Sequence, residues 1–146
     1  MGKGLGVLIV SYLVVIAALL VVGAVSHGVL RHIVQTSPLW IGIVLALRRS
    51  PLAKWAALPC FVFWLLAMSA VWLFLLGWAR ILSGTFSATE IAMTLVVGAA
   101  SILGIIAATA ATGRVRVWTA TATILLVAAL QVAAFRLSFL PQIAHR

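Results

Sequence analysis

Side chains able to do chemistry are few in this chain, and most of them lie in one short stretch. His27, Arg31 and Gln35 recur every four residues, with His32 and Thr36 one step further round, so on a continuous helix they form a polar stripe. A guanidinium, imidazoles and an amide set side by side suit an anionic group such as a lipid phosphate, or a quinone-like carbonyl, at the outer boundary of a membrane core. The structural alternative has Arg31 snorkelling to the interface while its neighbours cap a helix turn near Ser26 and Gly28. Haem or pigment ligation is poorly served. His27 and His32 would stand about 140° apart on a helix, and the sequence has no C-x-x-C-H motif or second histidine pair.

Glu90 is the one acid in 146 residues, and a lone carboxylate in a membrane helix could carry a proton. Its setting, Ser87-Ala-Thr-Glu90, has the S-x-x-E spacing of a capping box, in which the serine accepts from the third helical amide and the glutamate reaches back to the cap amide. A structural role is therefore expected, the residual alternative being an ion pair with Arg80 or Arg136. One carboxylate also gives a cation pump or cation-selective pore almost nothing to work with. Cys60, the only cysteine, has no disulfide partner in the chain and reads as a small buried apolar residue. No nucleophile with its base, no metal-ligand spacing, no P-loop and no G-x-G-x-x-G occurs, so neither an enzyme nor a metal or cofactor site is expected.

The elements that position these residues follow from composition. Hydrophobic residues make up 66% of the chain and charged ones 8%, with mean hydropathy +1.32; a water-soluble domain carries about 25% charged residues. A soluble globule and a disordered chain are both excluded. What remains is an all-α integral membrane protein, a polytopic helical bundle forming a single domain over 1–146. A hydrocarbon core about 30 Å thick needs roughly 20 helical residues, and four stretches meet that length: Leu5 to Val25, Trp55 to Trp78, Ile91 to Thr112, and Val117 to Leu137. The first imitates a secretory signal, with Lys3, an apolar run and small residues near Gly23, but the run is too long for one. Ser50-Pro51 reads as the N-cap and first position of the next clear span, and Pro59 falls inside it, where a kink is expected.

The segment between His27 and Arg49 is harder to read. An interfacial helix would need a polar face, and Pro38 to Leu47 has none. A re-entrant half-helix from Ser37-Pro38 would cover only about 18 Å, whereas a full span from Leu30 to Leu47, kinked at Pro38, covers about 27 Å. The full span is preferred, giving spans at about 5–25, 30–47, 55–78, 91–112 and 117–137.

Ten Lys and Arg against one acid leave a net charge of +9. The cations are scattered singly or in pairs between apolar runs, which is bilayer topology and not a nucleic-acid footprint. Counted by side with the N-terminus inside, Lys3, Arg48, Arg49, Lys54, Arg114 and Arg116 lie inside, and Arg31, Arg80, Arg136 and Arg146 outside. The tally is the same for four spans with the N-terminus outside. Either way the Arg48–Lys54 loop and the Arg114/Arg116 turn are expected in the cytoplasm and the C-terminus outside, in the bacterial cytoplasmic (inner) membrane. Arg48, Arg49, Lys54, Arg114 and Arg116 are then candidates to hold anionic lipid headgroups.

Ala100, Gly104 and Ala108 make a small-xxx-small ridge on the third clear span, which permits close helix packing, by default within the chain. Gln131, near the middle of the last span, is expected to hydrogen-bond across helices. Helices, ridges and basic loops without a reaction centre point to a non-catalytic subunit or accessory protein of a larger membrane complex, contacting anionic lipid and another membrane protein or itself. The alternative is a small homo-oligomeric transporter or flippase for an anionic or amphipathic substrate, using Arg31, His32 and Gln35.

Overall fold

The structure is a computed structural model that describes residues 3–80 and 84–144, with the side chains of Lys3 and Ala144 outside the description. Five long helices, α1 (Lys3–Val25), α2 (Val29–Leu47), α3 (Ala53–Leu75), α4 (Ala88–Ala110) and α5 (Val117–Leu137), precede a single turn, α6 (Pro141–Ala144). All five are long and apolar enough to cross a membrane. Arg146, one of the outer cations in the charge tally, lies outside the described residues.

α1, α2 and α3 all end on a left-handed residue. Gly77 (φ 75°) closes α3, with Trp78 N–H donating to Leu73 O at 2.9 Å and Gly77 N–H to Phe74 O at 3.0 Å. These are the paired bonds of a Schellman motif, for which glycine is the usual left-handed residue. Arg49 (φ 52°) closes α2 with the same two bonds, from Ser50 N–H to Leu45 O and from Arg49 N–H to Ala46 O. His27 (φ 56°) closes α1, where Gly28 N–H donates to Gly23 O at 2.8 Å. The polar stripe expected from His27 onward on one helix is therefore corrected: the chain turns at His27, and α2 begins two residues later.

α2 runs unbroken through Pro38, so a half-helix starting at Ser37 does not form. Proline cannot donate to the carbonyl four residues back, and Ser37 supplies the missing bond, its hydroxyl donating to Val34 O at 2.8 Å. α3 starts later than the Ser50-Pro51 pattern predicts. Ser50 accepts from Leu52 N–H through its Oγ (3.3 Å) and from Ala53 N–H through its carbonyl (3.0 Å), so Pro51 and Leu52 form a turn ahead of the helix. Pro59 is accommodated within α3 without ending it. At α4 the expected capping box is present and draws the helix start back to Ala88: Ser87 N–H donates to Glu90 Oε2 at 2.7 Å, and Glu90 N–H to Ser87 Oγ at 3.2 Å.

α1, α2, α3 and α4 close a ring in which each helix packs against its two neighbours, while α5 leans on α2 and α3 from outside and barely touches α4, its neighbour in sequence. Two glycine notches lie at the centre of the ring. Tyr12 of α1 fills the space a Cβ would take at Gly42 of α2, and Phe61 of α3 does the same at Gly104 of α4. The two rings touch, centroids 4.6 Å apart, and all four helices thus meet around one aromatic pair. Ala100, Gly104 and Ala108 are buried here, so the small-residue ridge serves packing within the chain.

Candidate functional site

The stripe residues divide by depth. His27, on the turn, is exposed. Arg31 is half-buried, its guanidinium carbon 4.0 Å above the ring of Phe139, a cation–π contact that joins the start of α2 to the segment after α5. His32 is buried, with Nδ1 2.9 Å from the carbonyl oxygen of Gly28, and its ring fills the hollow over Gly23 of α1. Thr36, also buried, donates to Ile33 O at 3.1 Å.

Gln35 faces α5. Its Nε2 donates to Ser138 Oγ at 2.9 Å, and Ser138 in turn donates to Phe135 O at 2.6 Å. One heptad earlier on α5, Gln131 Nε2 donates to the carbonyl of Gln35 at 3.2 Å. Gln35, Gln131 and Ser138 are all buried. Gln131 thus crosses between helices as expected, and Gln131 and Ser138 both meet Gln35 because positions seven apart on a helix share a face. Ser138 and Phe139 escaped sequence reasoning. Both stand where the apolar run of α5 gives way to Pro141, and there a serine reads as a boundary; the seven-residue step from Gln131 was the signal that could have found Ser138.

Five of the basic residues, Arg48, Arg49, Lys54, Arg114 and Arg116, collect at the opposite end. Lys54 Nζ donates to Ala111 O, the C-terminal edge of α4, at 3.3 Å and lies 5.0 Å from the ring centroid of Trp55. Gly113 packs against Pro51, with which Arg49 and Lys54 share a cavity wall. Arg48, Arg114 and Arg116 are exposed on the segments around it. A further polar contact ties the ring itself near its other end, where Trp72 Nε1 of α3 donates to Thr94 Oγ1 of α4 at 3.0 Å. Among the described residues no cluster of three or more metal-ligating side chains occurs. Compared with protein-family models, curated proteins and solved structures, the chain matches none.

The seam can join α5 to α2 with directional bonds. Its amide and hydroxyl donors are turned to acceptors within the chain.

Proposed function

We propose that this protein is a non-catalytic subunit or accessory protein of a larger membrane assembly, its five helices crossing the bacterial cytoplasmic membrane. The observation that carries the reading is the use made of the polar stripe: His32, Gln35 and Thr36 are buried and bonded within the chain, to Gly28, Ser138 and Ile33. A transport site for an anionic substrate would keep such groups open to a path. Insertion is supported by the outer surface, where Leu66, Leu103, Ile106, Leu125 and Leu126 are all more than half exposed. Scattered apolar side chains are normal on soluble proteins, but whole helix faces of them are a liability in water. In lipid they are solvated.

The basic end then faces the cytoplasm under the positive-inside rule, and its arginines and lysine lie at anionic headgroups. An apolar groove between α3 and α4, about 370 Å³, runs past Ser69, Gly98 and Ala99; a side chain added at Gly98 would meet nothing within 4 Å. Small residues along an open groove admit a second helix closely. Purification in mild detergent tests the proposal. A foreign subunit in fixed stoichiometry, lost on Gly98→Leu while the helical content holds, is the expected result. A stable homo-oligomer with no foreign subunit, together with loss of transport on Arg31→Ala, would replace this reading with that of a small transporter or flippase.

A further inference from the structure

Three chain segments converge at the basic end of the bundle. Gly113 packs on Pro51, Lys54 reaches the carbonyl of Ala111 at the end of α4, and Gly4 of α1 lies against Ala107. Between them is a cavity of about 350 Å³ with Arg49, Ser50 and Lys54 in one wall, Thr112 in another, and Gly4 and Leu5 of α1 beside them. That volume falls at the small end of ligand sites, about 300–1,000 Å³.

Charge at this end has one sign. Arg48, Arg49, Lys54, Arg114 and Arg116 flank the helix ends here, whereas Glu90 begins α4 at the other end of the bundle. The two cations in the wall are held by different means. Lys54 uses one donor on Ala111 O, which offsets the negative carbonyl end of α4 and leaves two of its three N–H groups. Arg49 occupies a left-handed position (φ 52°) that glycine takes at the end of α3, so a guanidinium stands where the turn alone would favour Gly. Ser50 accepts Leu52 N–H through Oγ, which leaves its own O–H to donate.

The geometry points to a phosphate-binding site in this cavity, with Arg49 and Lys54 as the cation pair, Ser50 and Thr112 as hydroxyl donors, and the phosphate of a phospholipid headgroup as occupant. The phosphate chemistry stands on the cavity alone. Its lipid source rests on the membrane reading above.

The test uses the full chain in mild detergent, with native mass spectrometry counting retained phosphatidylglycerol against diacylglycerol, which has the same tails and no phosphate, at equal concentration. One tightly held phosphatidylglycerol per chain is expected. Arg49→Gln and Lys54→Gln should each weaken retention about fivefold and together about 25-fold, while Arg136→Gln, at the other end, leaves it unchanged. Arg49→Gly removes the cation yet suits the turn, so loss of lipid in that variant with full helicity cannot be ascribed to misfolding. Inorganic phosphate is titrated in parallel: competition at equal affinity assigns the site to free phosphate, and its failure to compete assigns it to the lipid. Equal retention of both lipids, or wild-type retention in the double variant, overturns the proposal. Subunit stoichiometry read on the same preparation keeps the two readings apart, because a chain that holds phosphatidylglycerol but no foreign subunit defeats only the accessory role.

Discussion

The ring of α1 to α4 and the seam that attaches α5 are held by different physics. In the ring, Tyr12 and Phe61 sit in notches that exist because Gly42 and Gly104 have no side chain. On the seam, Gln35, Gln131 and Ser138 make directional bonds between α2 and α5. In an apolar solvent helices gain little from burying leucine, so close packing and interhelical hydrogen bonds do the joining. Close packing fails when atoms are added. A hydrogen-bonded seam instead loses a modest increment per bond, because the separated helices find other partners for the same groups. The ring should therefore be brittle and the seam tolerant.

The largest effect is expected from filling the notches. Gly42→Ala and Gly104→Ala each place a methyl group into a ring rather than against the flexible tip of a side chain. Overpacking typically costs about 1–3 kcal/mol and occasionally more, and these two should lie at the upper end. Reversible unfolding in mixed micelles, followed by far-UV circular dichroism, measures it. If either variant unfolds like the parent, the aromatic pair is not what holds the four helices together.

The seam should respond less. In a double-mutant cycle of Gln35→Ala and Ser138→Ala, the coupling is expected near 0.6 kcal/mol and below about 1.7 kcal/mol, the range of interhelical hydrogen bonds in membrane proteins. A coupling above that range would make the seam as demanding as the ring and erase the contrast. Gln131→Leu should be milder still, within about 0.5 kcal/mol of the parent, because a similar volume is kept and the buried Oε1, which has no partner among the described residues, is removed along with one bond.

How much of this was legible depended on whether a signal was local. The capping box at Ser87 and Glu90 was, since both partners lie within one turn and the bonds follow from spacing alone. The small ridge through Gly104 was visible as a ridge, but its occupant was not, because nothing in the sequence aligns Phe61 with it. Gly42 and Ala46 form a similar pair, yet they lie in the segment whose helical extent was itself the open question. Gln131 read correctly as an interhelical bond, while Ser138 was lost at the edge of an apolar run. The stripe through His27 failed for a different reason: periodicity assumes an unbroken helix, and a single left-handed residue resets the phase.

That residue provides the smallest and most discriminating test. A non-glycine residue in the left-handed region costs about 1–2 kcal/mol, and histidine is among the types that tolerate it better. Glycine would relieve that strain but lose about 0.5–1 kcal/mol in backbone freedom. His27→Gly should therefore raise stability by a few tenths of a kcal/mol, measured in the same micelles, and leave both ring and seam unchanged. His27 is exposed on the turn before α2, so the Gln35–Ser138 coupling should be identical in the His27→Gly background. If that coupling drops, the imidazole acts with Arg31 and Gln35 after all, and the seam extends through the turn.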